Sequence, residues 1–351
     1  MSIKGGEISA SVLESYFSCP YKNYASNVLK LKETAISDIR VNETGTLLHL
    51  ICEKYVKDVS KVSDKISSDK LVEEIFAKIK ESDEYKKYLN SSKLLYSLER
   101  LEKESKRVCF SVYNSIKNST FTPKYYEKRF GSGQDIPPIK LSAKSGNVFV
   151  KGVVDRVDES GNYIRIIDYK SGRISPSDES FYTGNKLQLY LYMNAFVGGD
   201  KKPAGAYYYP VKDGYSETEE TYTMQGRTVE NEKVLTATDI NILENRNSQI
   251  VKVSLAKDGK PYKTSAVLTE DEMQKYLKYS KLISEGCIDE IREGYCTPSP
   301  YDGACDYCQY AGMCGFSSNE GGEFRKVSKV DKSTIVEAVL ESEKLGNKAE
   351  N

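Results

Sequence analysis

The sequence predicts an α/β fold, and three features of its patterning predict it. Amphipathic helical spacing occupies the chain from Val12 to about Asn118. A run rich in Val, Ile and Tyr from Tyr125 to Lys170 then reads as strands. After it come a short helix at Gln188–Tyr192 and an apolar strand, Gly205–Pro210, that reads as buried on both faces.

Ser11 before Val12-Leu-Glu14-Ser-Tyr-Phe17 predicts a helix start, with Glu14 at capping-box distance, and Pro20 ends or offsets that helix. Tyr21–Lys32 reads as helix or loop. Thr44-Gly45-Thr46 opens a stronger helix through Leu47, Leu48, Ile51, Tyr55 and Val56, carrying His49, the single histidine. Leu71, Ile75 and Ile79 predict a helix over Lys70–Lys80. Leu94, Leu98, Leu101, Val108 and Val112 predict a long one. Gly131-Ser-Gly133 and Ile136-Pro-Pro138 interrupt the strand region. Neither is a phosphate loop, and no Walker A pattern occurs, which excludes an ATPase site in this sequence. Asp213–Gly259 is polar and reads as an inserted region of short elements. Thr269 caps a helix running through Tyr276, Leu282 and Ile283 towards Ile291. The stretch after Phe316 reads as a tail with one weak amphipathic segment, Thr334–Leu345, and mobile last residues.

The strand region carries the chemistry. Gly161-Asn162 is a two-residue hairpin signal between Gly152–Ser160 and Tyr163–Lys170. If Ser160 faces Tyr163, Asp155 falls opposite Asp168. Alternation then places Asp168 and Lys170 on one face and Tyr169 on the other. Directly opposed carboxylates repel, but their Cβ atoms lie about 4.5–5.5 Å apart, close enough to share one hard divalent cation. Lys170 adds a positive charge able to orient a water or stabilise a developing oxyanion. Two acids and a lysine beside a metal suit phosphodiester hydrolysis. A plain surface hairpin with scattered charges is the bland alternative. On this reading, removing Asp155 also relieves repulsion in the metal-free protein.

With 51 basic and 51 acidic residues, no overall charge bias announces a nucleic-acid partner, so any such contact must come from local clustering. Most of the 27 tyrosines are expected in half-buried sheet positions. No signal peptide and no membrane-spanning apolar run are apparent. The expectation is therefore a cytoplasmic protein without membrane contact, whose eight cysteines are thiols rather than disulfides. Cys305, Cys308 and Cys314 form a C-x₂-C-x₅-C run in a Gly-rich loop, suggesting soft-metal coordination. Cys19, in a tight Ser-Cys-Pro-Tyr break, is the chosen fourth ligand, with Cys296 as runner-up from spacing. Cys52, Cys109 and Cys287 read as buried helix residues. Spacing alone leaves Zn²⁺ and an iron–sulfur cluster both open.

Gly152-Val-Val-Asp155-Arg-Val-Asp158 followed by Ile166-Ile-Asp168-Tyr-Lys170-Ser-Gly172 resembles the core of the RecB-like branch of the PD-(D/E)XK nucleases. The resemblance implies a restriction-endonuclease-like core, a mixed central sheet flanked by helices. It also implies Asp155 and Asp168 as ligands of Mg²⁺ or Mn²⁺, Lys170 as the catalytic lysine, and the Tyr169 carbonyl as a further ligand. Gln188 and Tyr192 match the family's Gln-x-x-x-Tyr motif, expected to lean over the metal and touch a phosphate or base. Gly45-Thr-Leu-Leu-His49 matches its Gly-x-x-x-His helix, which implies His49 as a metal ligand rather than a packed helix residue. Glu127, on the strand Tyr125–Arg129, is similar to a family glutamate near the site.

The lone Cys19 together with Cys305, Cys308 and Cys314 resembles the iron-staple nucleases, which implies a [4Fe–4S] cluster, with Zn²⁺ as the lesser alternative. Ile8-Ser-Ala-Ser-Val-Leu-Glu-Ser-Tyr-Phe-Ser-Cys19-Pro-Tyr21 is similar to the C-terminal nuclease domain of AddB-type subunits of AddAB helicase–nucleases. The expected organisation is one nuclease domain over 8–316. It comprises a helical part (8–120), a catalytic core (121–212), an inserted region (213–268) and a helix with the cysteine cluster (269–316), with 317–351 as tail. The expected activity is that of a metal-dependent deoxyribonuclease, an exonuclease in double-strand break repair and recombination. DNA is the expected substrate and an AddA-like helicase–nuclease subunit the expected partner. A non-catalytic, cluster-stapled DNA-binding or assembly module is the alternative, disfavoured because a pure binder has no need to oppose two carboxylates.

Overall fold

The computed structural model describes residues 6–32, 41–82, 92–170, 176–211 and 222–349. Leu94 and the motif residues Ser171 and Gly172 lie outside the described side chains, as does part of the polar stretch after Asp213.

Strand β1 (Glu7–Ile8) leads into α1 (Ala10–Ser18), and α2 (Val41–Lys57), α3 (Lys65–Glu81) and α4 (Ser92–Lys117) follow. Next come β2 (Thr122–Phe130), β3 (Ile139–Ala143), β4 (Gly146–Val150), β5 (Gly152–Ser160) and β6 (Tyr163–Lys170). Helix α5 (Gln188–Met193) crosses to β7 (Lys202–Pro210), and β8 (Gln225–Val229), β9 (Val267–Leu268), α6 (Glu270–Glu293) and α7 (Lys332–Ala349) complete the fold. The central sheet is mixed and six-stranded, in the order β2-β5-β6-β7-β8-β9, and β1, β4 and β3 form a smaller sheet. β6 and β7 are parallel, as their helical connection requires, whereas β5 and β6 are the expected antiparallel hairpin. The mixed sheet flanked by helices is thus present.

Local chemistry explains most boundaries. Thr269 and Glu272 close a capping box on α6, as its sequence predicts. Helix α3 begins at Lys65, earlier than expected, because Asp64 and Ser67 cap each other reciprocally. Helix α2 begins at Val41, upstream of the expected start. The Ser11–Glu14 capping box does not form: α1 starts at Ala10, Ser9 precedes it without a side-chain cap, and Glu14 is engaged elsewhere. The polar stretch after residue 221 supplies β8 and β9 to the central sheet. The weak C-terminal segment is the full helix α7, with Ile335 and Val339 buried in the main core.

Strand alternation sends side chains to two cores. Ile164, Ile166 and Tyr208 face one core with Leu13 and Tyr16 of α1, Leu189 and Leu191 of α5, and Tyr276 and Ile288 of α6. Ile167, Tyr169, Tyr207 and Tyr209 face the other, under Leu48, Ile51 and Tyr55 of α2, Ile75 of α3 and Val108 of α4. Among the described residues no helix is long and apolar enough to cross a membrane.

One buried polar network crosses the hairpin. Asp158 accepts from Arg156 Nε at 2.6 Å and Nη2 at 2.7 Å, and from Arg165 Nε at 2.9 Å. All three side chains are sealed from solvent, and the Arg165 guanidinium lies 4.6 Å from the centre of the Phe121 ring. Burial works against the Asp158 charge, but the two guanidinium groups outweigh it and hold its pKa below the usual carboxylate range. Arg156 Nη1 reaches on to the Tyr169 hydroxyl at 3.2 Å, tying β5 to β6 beneath the site. Removing Asp158 leaves two buried cations unpaired, so Asp158→Ala should cost about 3–5 kcal/mol in chemical denaturation. A loss below about 1 kcal/mol, the scale of a surface ion pair, would show that the network carries little of the fold.

Candidate active site

The site lies where β5 and β6 part. The expected register holds from Ser160–Tyr163 through Arg156–Ile167 and stops there, one step before Asp155 and Asp168. Tyr169 N–H instead donates to Asp155 Oδ2 at 2.8 Å, so a side chain takes a main-chain donor at the opened end of the hairpin. On the other flank of β5, Glu127 sits between the ladder pairs Tyr126–Arg156 and Lys128–Val154 with φ of 43°, a left-handed conformation uncommon outside glycine.

These departures gather a donor set. His49, Glu127 and Asp155 offer ligand atoms that all lie within 4.8 Å of one another. His49 Nδ1 is 3.2 Å from Asp155 Oδ2, brought down by α2 packing across the sheet face. Asp168 does not join this trio at that distance. Its Oδ1 accepts from Gln188 Nε2 at 2.8 Å, and Lys170 Nζ lies 2.7 Å from its Oδ2. That lysine approaches off the line of a hydrogen bond, so buried Oδ2 has no aligned donor. Asp168 and Lys170 share a face, and Tyr169 is buried on the other, as alternation predicts.

The electrostatics record crowding of negative charge. Burial and the neighbouring Asp155 charge push Asp168 up to about 7, against the pull of Lys170. Burial and Asp155 likewise raise Glu127. Burial opposes the charged form of His49, but its hydrogen bond to Asp155 and the charges of Asp155 and Asp168 push it up to about 9. Burial opposes the Lys170 charge too, and Asp168 and Asp155 outweigh it, raising that pKa. A neutralised imidazole and three ionised carboxylates match the hard-donor preference of Mg²⁺ or Mn²⁺, with Mn²⁺ the better partner for nitrogen. The crowded acids and the unaligned Asp168 oxygen fit such an ion.

The Gln-x-x-x-Tyr residues separate in role. Gln188 reaches Asp168, whereas Tyr192 is buried edge-on against Phe130 at 4.9 Å between ring centres. Gly152 makes this packing possible: a Cβ there would fall 2.5 Å from the Tyr192 ring. Two acids escaped the ligand and site sets read from sequence. Glu127 is the only acid on β2, and its left-handed backbone is invisible in a sequence. Glu14 Oε1 accepts the N–H groups of Leu187 at 2.7 Å and Gln188 at 3.0 Å, a contact no local pattern announces.

The cysteine loop folds against the α1 terminus. Tyr301 N–H donates to Ser18 O at 3.4 Å and Tyr21 OH to Met313 O at 3.2 Å. Burial raises the Cys305 thiol, followed by the nearby Cys308, Cys19 and Cys314, while Cys296 is not among its neighbours. Cys314 Sγ accepts the N–H of Phe316 at 3.5 Å, the kind of bond that stabilises a thiolate. Four converging sulfurs on short turns fit a thiolate-bound metal or cluster. Cys52, Cys109 and Cys287 are buried, as expected.

A mixed sheet whose parted hairpin collects acids, a histidine and a lysine defines a nuclease-type site. The PD-(D/E)XK nuclease superfamily model matches residues 7–315, and the chain belongs to that superfamily. It is a nuclease by that membership. It is similar to proteins named as subunits of ATP-dependent helicase/deoxyribonucleases. The one from Alkaliphilus metalliredigens is 27% identical over 94% of this chain and 32% of its own length. The one from Clostridium botulinum strain Hall is 31% identical over 90% of this chain and 30% of its own. The chain thus spans about a third of the length of these relatives.

The Asp168 pKa sets a pH test. A carboxyl raised from 3.8 to about 7 on folding contributes stability below pH 3.8 that is lost as pH rises through 7. Asp168→Asn mimics the protonated acid. In divalent-free buffer its melting temperature should match wild type near pH 5 and exceed it by a few degrees at pH 8. A gap independent of pH would mean that Asp168 is not held neutral. Asp155→Ala, expected from sequence to relieve repulsion, should not stabilise, because Asp155 is bound by Tyr169 N–H and His49.

Proposed function

We propose that this chain hydrolyses DNA phosphodiester bonds with Mg²⁺ or Mn²⁺ at the site between β5 and β6. The observation that carries this reading is the His49–Glu127–Asp155 trio beside the Asp168–Lys170 pair. His49, Glu127, Asp155 and Asp168 would hold the ion, with the Tyr169 carbonyl as a further ligand. A bound divalent ion supplies Lewis-acid polarisation of a nonbridging phosphate oxygen and a lowered pKa for water. The residues do the rest. His49 must give up its proton to bind, so metal affinity should rise with pH. Gln188 fixes the Asp168 rotamer through its Nε2, leaving Oδ2 towards Lys170. Lys170, kept protonated by Asp168, orients the attacking water and offsets charge building on the phosphate. Tyr192 supports this wall by packing on Gly152 and Phe130.

The names of the relatives support a wider reading: an exonuclease acting with an AddA-like helicase subunit in double-strand break repair, in the cytoplasm. In the same reading Cys19, Cys305, Cys308 and Cys314 hold a [4Fe–4S] cluster, with Zn²⁺ as the lesser alternative, in a nuclease unit over 8–316.

End-labelled DNA with Mg²⁺ or Mn²⁺ tests the activity. Asp155→Ala and Lys170→Ala should each lose about 10²–10⁴-fold in cleavage rate, the scale of a lost proton-transfer or charge-stabilising group. Wild-type rates in both would remove the proposed site. DNA binding without cleavage by the intact chain would favour the non-catalytic module. For the cysteines, iron, zinc and sulfide analysis of anaerobically purified protein is decisive. Cys19→Ala should lose metal and melt earlier, whereas Cys296→Ala should keep both near wild type. The reverse pattern would replace Cys19 with Cys296 as fourth ligand.

A further inference from the structure

Helix α5 is a single six-residue element, too short to hold its own place by helical propensity. Its first N–H groups need acceptors from outside, and Leu187, the residue before it, provides no side-chain cap. Glu14 provides it from α1, accepting from both Leu187 and Gln188. Gln188 in turn donates to Asp168. The chain of contacts is therefore Glu14, Gln188, Asp168, across two helices and a strand.

Helix α1 is a firm mount for this contact because groups independent of α5 hold it. Tyr16 OH donates to Glu290 Oε2 of α6 at 2.6 Å. The Arg325 guanidinium bonds the carbonyls of Phe17 and Ser18 at its C-terminus and lies 3.9 Å over the Tyr301 ring. The Glu14 carboxylate is desolvated, which raises its pKa against the pull of the Gln188 N–H, Lys186, the Leu187 N–H and Lys170. A carboxylate serving only as a helix cap gains most at a solvated surface; this one is drawn inward, beside the catalytic lysine.

We infer that Glu14 is a positioning residue for the metal site, clamping the start of α5 and through Gln188 fixing the orientation of the Asp168 carboxylate. The inference rests on the metal-site reading above. Groups that orient a metal ligand are worth about 10–100-fold in metal affinity, and Glu14 acts one bond further out.

Mn²⁺ binding to the full chain, followed by the electron paramagnetic resonance of free Mn²⁺, reads this without any cleavage assay. Glu14→Asp keeps the charge but withdraws it by one methylene from the α5 amides, and should weaken Mn²⁺ binding about tenfold, the lower end of that range. Glu14→Gln retains a carbonyl that accepts both N–H groups and should bind close to wild type. Because Glu14 acts through Gln188, adding Glu14→Asp to Gln188→Ala should weaken binding no further. Thermal melts of each variant verify folding. Wild-type Mn²⁺ affinity in Glu14→Asp, equal losses in Glu14→Asp and Glu14→Gln, or additive losses in the double variant would each overturn the inference. Asp155→Ala serves as control: if it binds Mn²⁺ like wild type, the metal-site reading fails first, and this inference with it.

Discussion

The parting of β5 from β6 beyond the Arg156–Ile167 pair is the constraint around which the site is built. A continued ladder would press Asp155 and Asp168 together as a cross-strand pair, an unfavourable arrangement for like charges. The strands separate instead, and each acid finds a different partner: Asp155 takes Tyr169 N–H and His49, while Asp168 takes Gln188 and Lys170. The buried Arg156–Asp158–Arg165 network holds the hairpin closed immediately behind this opening. Without that closure, charge repulsion would have a flexible hairpin to act on, and the spacing of ligands would not be fixed.

The opening is supported from both faces of the sheet. Helix α2 lowers His49 from one side, its own position set by Leu48, Ile51 and Tyr55 against the sheet tyrosines. From the other side α1 and α5 bring Glu14 and Gln188. Helix α1 also ends at Cys19, against the loop that carries the C-terminal cysteines. A metal or cluster held by those sulfurs would therefore anchor the same helix that carries Glu14. Loss of the sulfur site should reach catalysis through helix position rather than through contact with substrate. This separates a structural requirement for the cysteines from a chemical one.

Much of this was legible in the sequence because its signals are local. Gly161-Asn162 marked the hairpin register, and Gly161 does adopt the left-handed turn conformation with φ of 59°. Period-two alternation put Asp168 with Lys170 and away from Tyr169, and the Gly45–His49 spacing marked the helix that reaches the site. What escaped depends on long-range geometry. The end of the ladder at Asp155 is a property of packed strands, and the backbone of Glu127 follows from that distortion. Glu14 looked like a local cap for α1, yet it serves a helix far along the chain, which no short pattern can announce. The C-terminal segment looked weak because only a few side chains, among them Ile335 and Val339, bury, and their worth depends on α6 being beside them.

Departures from ordinary folding rules cluster at this one place. Glu127 has a left-handed backbone, the β5–β6 ladder stops early, Asp168 is pushed up to about 7, and its buried Oδ2 lacks an aligned donor. Behind the opening, the same hairpin pairs its buried charges and alternates its faces. Conflicts spread over a protein signify poor packing, whereas conflicts collected in one site signify a shared remedy. Here a single divalent cation would answer most of them together. It would neutralise the crowded carboxylates, displace the proton from His49 and Asp168, and occupy the space the parted strands leave between their acids. The overall charge balance of the chain is consistent with this economy. With 51 basic and 51 acidic residues, attraction for a polyanion cannot come from the molecule as a whole. It has to be created locally, at Lys170 and at the ion its acidic neighbours are placed to hold.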